Sequence, residues 1–285
     1  MVNSQQSTVN NPQINDMIRP GSDRVLIMGV LNITPDSFSD GGMYLEASKA
    51  KDKALQMVEE GADIIDIGGE SSRPGSSRVS SEEEIARVIP VVKALRDIKV
   101  PLSVDTYKSD VAGKALDEGA SIINDITALN GDKRMAGIAA RYRAGLILMH
   151  MKGTPYNMQD DPEYANLIGE IRSYLSAAVK KAEKAGVLPE RIIIDPGIGF
   201  GKTLRHNLDI LKNLDQFKEL GKVILVGASR KSFIGELTGK DVKDRTFGTI
   251  AASVFAIMKG AGILRVHDVD AMRDAVSVTR SIMGS

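Results

Sequence analysis

The stretch AGLILMHMKGTPYNMQDDPEYANLIGEIRSYLSAAVKKAEKAGVLPERIIIDP (144–196) holds a complete strand–helix–strand unit. Its ends, AGLILMH (144–150) and RIIIDP (191–196), are short runs rich in Ile and Leu, as in strands buried on both faces of a parallel sheet. Between them Leu167, Ile168, Ile171, Leu175, Ala178, Val179 and Ala182 recur at three- and four-residue intervals. Arg172, Lys180, Lys181 and Glu183 fall largely opposite, so the spacing predicts an amphipathic helix over 163–185.

Outward from this unit the same pattern repeats. Further apolar runs stand at 24–32, 62–68, 100–105, 120–125, 222–227 and 262–267, separated by helical stretches. Strict alternation implies a parallel sheet, and eight units suggest closure into a (β/α)8 TIM barrel. An open doubly wound sheet is the competing topology. Ser81, ahead of Glu82, Glu83 and Glu84, reads as a helix N-cap. Gly61, Gly119 and Gly186 follow helical stretches, where a left-handed residue is wanted. The expected organisation is a flexible tail over 1–22 and one barrel domain over 23–285.

Of the 285 residues, 42% are hydrophobic and 26% charged, within the range of an ordinary globular protein. Basic and acidic residues both number 37, so nothing calls for nucleic acid or an anionic membrane. There is no cysteine, which excludes disulfides, thiolate catalysis and zinc–thiolate sites. The start carries no basic segment followed by an apolar one, and no apolar run approaches the ~20 residues of a spanning helix. A cytoplasmic home is expected.

The chemistry lies at the C-terminal ends of the predicted strands: Asn32, Asp66 with Glu70, Asp105, Asn124, His150, Asp195, the Ser229–Arg230–Lys231 cluster, and Arg265 with His267. A barrel brings these ends to one face, where such folds place their active sites. Each alone has a plain reading as a cap or surface residue. Helix caps would not supply two amides, several carboxylates, a lysine, an arginine and histidines to one mouth. Asp66, flanked by Ile65 and Ile67, is read as structural, and His206 as a surface residue. PGIGFGKT is not a phosphate loop, because Pro196 stands where that motif needs glycine. GIGFG also fails the dinucleotide fingerprint, its third glycine coming one residue early.

The motifs MGVLNITPDSFSDGG (28–42), DIGGESSRPG (66–75), SVDTYKSDVA (103–112), INDI (123–126), LMHMKGTPYNMQ (148–159), DPGIGFGKT (195–203), GASRKSFIG (227–235) and RVHDV (265–269) closely resemble those of the dihydropteroate synthase family. The resemblance touches every strand end. Ser72 stands where that family usually has Thr, and Lys152 where it often has Gln. It implies joining of a hydroxymethyl-dihydropterin pyrophosphate to p-aminobenzoate, by loss of pyrophosphate and attack of the arylamine on the methylene carbon. An arylamine is already neutral near pH 7, so the demands are to hold the pterin, stabilise a developing cation and neutralise pyrophosphate.

Asp195 and Asn124 suit a pterin edge, a carboxylate accepting two adjacent N–H groups and an amide matching donor with acceptor. Asp105 would add a ring contact and negative charge near the cation. Lys231 would reach the pterin carbonyl or a ring nitrogen. Met149 and Phe200 are expected to line the pterin pocket, with Phe200 also in reach of the aminobenzoate ring. His150 is read as support behind them. Arg265 and His267, two apart on the last strand, are expected to point the same way and bind pyrophosphate, beside the N-terminus of a helix over 268–283. The resemblance further implies Mg2+ carried by the pyrophosphate with Asn32 as a ligand, an arrangement that suits an ion retaining several waters. It implies Phe38, Ser71, Ser72, Arg73, Pro74, Lys231 and Ser232 around p-aminobenzoate, from loops 34–42 and 71–81, and a homodimer using the last helices (247–283).

Three other functions compete. A corrinoid methyltransferase would share the pterin ligands but has no use for a pyrophosphate clamp. A silent paralogue should have lost some charged strand-end residues. An aldolase would use Lys231 as a Schiff base.

Overall fold

The structure, a computed structural model, describes residues 17, 19, 21, 22, 24–33, 43–71, 76 and 78–284. The eight predicted strands are present as β1 (Leu26–Asn32), β2 (Ile64–Gly68), β3 (Leu102–Asp105), β4 (Ile122–Asp125), β5 (Gly145–Met149), β6 (Ile192–Asp195), β7 (Val223–Val226) and β8 (Ile263–Val266). Every neighbouring pair is parallel, and β8 returns to β1 with Leu26 opposite Ile263 and Met28 opposite Arg265. That last pairing closes the barrel and excludes the open sheet.

Among the described residues nine α-helices surround it: α1 (Met43–Glu59), α2 (Ser81–Ala94), α3 (Ser109–Asp117), α4 (Met135–Arg141), α5 (Leu167–Lys184), α6 (Leu204–Lys212), α7 (Ser232–Thr238), α8 (Thr246–Met258) and α9 (Val269–Met283). The connection from β7 to β8 thus carries two helices. The helix expected over 163–185 begins at Leu167 because Asn166 caps it, accepting the Gly169 N–H at 3.1 Å. The cap of α2 is Ser80 and not Ser81: Ser80 Oγ accepts the Glu83 N–H at 3.1 Å from an extended backbone, and Ser81 is the first helical residue. Gly61, Gly119 and Gly186 have φ of 100, 117 and 95°, the left-handed turn from helix back to strand.

A period of two along each strand divides the core. Leu26, Met28, Ile64, Ile122, Ile147, Ile193, Val223, Leu225 and Ile263 point inward and fill the barrel. Ile27, Leu31, Ile65, Ile67, Val104, Ile123, Leu146, Leu148, Ile192 and Ile194 point outward beneath the helices. Within the segment expected as a tail, Met17 packs against the inner cluster, while residues 1–16 lie outside those described. No helix among the described residues is long and apolar enough to cross a membrane.

Candidate active site at the C-terminal mouth of the barrel

The same two-residue period that sends Ile64, Ile122, Ile193 and Ile263 inward sends the residue two further on inward as well. Those residues are Asp66, Asn124, Asp195 and Arg265, and Ser103 is followed in the same way by Asp105. Register sets Asn32, Gly68, Asp105 and Asn124 side by side on adjacent strands. Asn32 Oδ1 and Asp105 Oδ2 both lie close above Gly68, 3.5 and 3.9 Å from where a Cβ would stand. The glycine leaves that space open between two hard oxygen donors.

The charges at the mouth are shared across strands. Arg265 Nε donates to Asp66 Oδ2 at 2.6 Å, and Nη2 donates to Asp105 Oδ2 at 2.8 Å. Asn124 Nδ2 donates to the same Asp66 oxygen at 3.1 Å. Asp66 is 0% exposed, and its Oδ1 has no hydrogen-bond partner among the described residues. Read as structural from sequence, Asp66 turns out to orient both Arg265 and Asn124. Three carboxylates (Asp66, Asp105, Asp195) gather here with three cations (Arg265, Lys231, Lys202).

Burial pushes the Asp105 carboxyl up to about 7, with Asp66 and Glu84 adding to it against Arg265 and Lys231. Burial lifts Asp195 to about 6, opposed by the Gly197 N–H that it accepts at 2.7 Å and by Lys231, Lys202 and Arg265. Burial works against the Arg265 charge, but Asp66 and Asp105 outweigh it and hold the guanidinium firmly protonated. For His267, burial and then Arg265 and Arg230 lower the ring to about 4, so it is neutral at pH 7. Ser229 Oγ accepts the His267 backbone N–H at 3.2 Å and lies 2.9 Å from Nδ1. Its own proton therefore suits Nδ1, leaving the ring proton on Nε2. His267 is thus a neutral donor and not a second cation beside Arg265.

Lys231 precedes α7, and its Nζ lies 3.9 Å from the centroid of the Phe200 ring, a cation–π contact. Gly199 (φ 82°) makes room for it: a Cβ there would stand 3.0 Å from Lys231 Cδ. Phe200 belongs to a buried apolar group with Ile126, Met149, Met151 and Met158, which walls one side of the mouth. Ser232 is exposed at the start of α7, and Ser71 is half-buried after β2. Phe38, Ser72, Arg73 and Pro74 lie outside the described residues.

Sequence reasoning missed Lys202. Read only as part of a failed phosphate loop, it is 3% exposed, its Nζ donating to the Phe200 carbonyl at 2.8 Å and lying 3.0 Å from His150 Nδ1. Burial lowers it to about 7. Burial and Lys202 likewise hold His150 neutral, and that ring stands edge-on to Tyr174 at 4.8 Å, which suits the supporting place expected of it. His206 is half-buried and completes a capping box with Thr203 at the start of α6. Among the described residues no cluster of three or more His, Asp or Glu is disposed to hold a metal.

A cavity of about 920 Å³ opens beside the mouth, lined by Tyr107, Asn130, Thr154, Pro155, Tyr156 and Tyr174 among others. None of the expected pterin or pyrophosphate ligands lines it. Arg265 and Asp105 instead bond to each other, and Asn124 to Asp66, at the strand ends.

The pterin binding enzyme family model matches residues 28–267. The dihydropteroate synthase of Synechocystis sp. is 48% identical over 261 residues, covering 91% of this chain and 90% of that one. The fold matches Yersinia pestis dihydropteroate synthase with a sulfonamide drug complex at a TM-score of 0.87 and 41% identity, covering 92% of this chain and 95% of that one. It also matches Xanthomonas albilineans dihydropteroate synthase with 4-aminobenzoic acid at a TM-score of 0.86 and 43% identity, covering 92% and 94%.

Proposed function

This chain belongs to the pterin-binding enzymes as a dihydropteroate synthase, and from that premise we propose how its side chains divide the work. It is a transferase of folate biosynthesis that condenses 6-hydroxymethyl-7,8-dihydropterin pyrophosphate with p-aminobenzoate to give 7,8-dihydropteroate and pyrophosphate.

Asp195 takes two adjacent pterin N–H groups, and Asn124, held by Asp66, matches a donor and an acceptor beside them. Met149 and Phe200 give the ring an apolar wall. Lys231 extends over Phe200 to the pterin carbonyl or a ring nitrogen. As the C–O bond breaks, its electron pair leaves with pyrophosphate and positive charge grows on the methylene carbon. Asp105 stabilises that charge, and Arg265 holds its carboxylate in place. Arg265 also supplies positive charge to the departing anion, and His267 donates its Nε2–H. The arylamine lone pair then attacks the carbon and its proton passes to water. Phe38, Ser71, Ser72, Arg73, Pro74, Lys231 and Ser232 form the aminobenzoate pocket. The reading rests above all on Asn124 and Asp195, buried at the ends of β4 and β6 in the mouth that also holds Phe200 and Lys231.

Asn32 Oδ1, above Gly68 and close to Asp105 Oδ2, offers the hard oxygen chemistry that suits Mg2+. Arriving with the pyrophosphate, Mg2+ would neutralise the leaving group, and Asn32 would be its ligand.

The test is pyrophosphate release by the purified protein, given the dihydropterin pyrophosphate and Mg2+, with and without p-aminobenzoate. Release accompanied by dihydropteroate is expected; pterin binding without release would leave a silent paralogue. In Asn32→Ala, the Mg2+ concentration for half-maximal rate should rise about ten-fold or more, the usual cost of disturbing a metal's ligands. An unchanged Mg2+ dependence would remove Asn32 from the metal.

The assignment extends to a homodimer in the cytoplasm. The packed pair α8 and α9 presents Phe247 at 86% exposure and Ile282 at 80%, together with Met258 and Val278. Such a patch suits an interface between copies. Sedimentation should give two chains for the wild type and one for Phe247→Glu; a wild-type monomer would overturn the dimer.

A further inference from the structure

We propose that Lys108 is a positioning residue that fixes the stem of the β2–α2 loop to the strand end carrying Asp105, and thereby sets the affinity for the arylamine substrate. The inference rests on the reading above, in which residues 71–74 meet p-aminobenzoate.

Lys108 stands three residues after Asp105, just before α3, and makes no capping bond there. Its Nζ donates to Glu70 Oε2 at 2.5 Å, to Glu84 Oε2 at 2.5 Å and to the Val79 carbonyl at 2.7 Å. Three acceptors use all three ammonium protons. Glu70 opens the loop that leaves β2, Val79 closes it before α2, and Glu84 lies in the first turn of α2. One ammonium group therefore ties both ends of the loop to β3. Further bonds converge on the same stem: Tyr107 Oη donates to Glu70 Oε1 at 3.1 Å, the Val79 N–H donates to that oxygen at 3.4 Å, and Arg87 Nη1 donates to the Gly69 carbonyl at 2.8 Å.

Stability alone is a poor account of the cluster. Glu84 is 1% exposed, its Oε1 has no hydrogen-bond partner among the described residues, and burial raises its carboxyl in spite of Lys108. Two carboxylates around one half-buried ammonium leave a net negative charge, and well-packed apolar residues often serve a core as well or better. What the ion cluster supplies is geometry, holding both ends of the loop on a residue three positions after Asp105. The motif residues Glu70, Tyr107 and Lys108, which take no direct part in the chemistry proposed above, acquire a purpose in this way.

The experiment compares steady-state kinetics of the full chain with Lys108→Met and with Lys108→Met/Glu84→Gln, each substrate varied in turn and folding followed by thermal unfolding. The double variant keeps the cluster's net charge while removing the three-way bond, so it decides the matter where the single variant fails to fold. In the folded variant, KM for p-aminobenzoate should rise ten-fold or more, with KM for the dihydropterin pyrophosphate changing less than two-fold. Equal rises in both KM values, or a fall in kcat with both unchanged, would overturn the proposal. Wild-type dihydropteroate formation, measured first, reads the underlying assignment separately; if it fails, the functional reading falls and this proposal with it.

Discussion

Arg265→Met should lose about 3–5 kcal/mol of stability and on the order of 10³ in turnover. Its guanidinium pairs with both Asp66 and Asp105, and Asp66 is wholly buried. Removing one member of a buried ion cluster leaves uncompensated charge, which costs about 3–5 kcal/mol. A positioned donor at a developing charge contributes about 10²–10³ in rate. The loss should depend on pH in a definite direction. Without Arg265, the folded-state pKa of Asp105, already lifted to about 7 by burial, rises further above its unfolded value. Its contribution to stability is then present at low pH and lost as pH rises through the folded pKa. Urea unfolding at pH 5 and pH 8 should therefore show the greater loss at pH 8, and adding Asp66→Asn should restore part of the stability but not the rate. An equal loss at both pH values would show that the cluster does not act through charge.

Asp195→Asn should abolish turnover, by roughly 10³–10⁴, while stabilising the protein above neutrality. The amide places an N–H where the pterin presents N–H groups, and sites built to hydrogen-bond a substrate discriminate on that scale when the match is lost. The stability effect has the opposite sign. Burial lifts this carboxyl from 3.8 to about 6, so its proton favours the fold below pH 4 and that contribution disappears as pH rises through about 6. At pH 8 the ionised form costs the native state on the order of 2–3 kcal/mol. Asparagine avoids the cost, and its oxygen still accepts the Gly197 N–H. Thermal unfolding should show a raised Tm for the variant at pH 8 and none at pH 4, beside lost activity at both. A variant that keeps activity would remove Asp195 from pterin recognition.

The architecture was legible because a parallel barrel buries both faces of its strands, which writes each strand as an unbroken apolar run. The positions of Asp105, Asn124, Asp195 and Arg265 were legible for a related reason, since each ends such a run in inward phase. Their partners were not. Asp66 and Arg265 are 199 residues apart, and nothing local marks the meeting of their side chains. The neutral state of His267 depends on burial and on Arg230 and Arg265, which adjacency to an arginine alone does not reveal. Lys108 and Lys202 are single basic residues in loops, where a lysine ordinarily meets water. Two consecutive serines also left the α2 cap ambiguous by one position, since only the backbone angles show which stays outside the helix.

The bridge from Arg265 to Asp66 and Asp105 also has a bearing on the order of assembly. Its arginine lies on the last strand, so a chain emerging from the ribosome holds both acids long before their counter-ion is made. A seven-stranded intermediate has every pterin ligand but lacks the arginine that settles the charge of Asp66 and Asp105, and it keeps an unpaired edge on each side of the gap. Binding competence should therefore appear in a single late step, when β8 enters between β7 and β1. A chain truncated before residue 262 should bind no pterin, and should regain binding when the missing strand and α9 are supplied as a separate peptide.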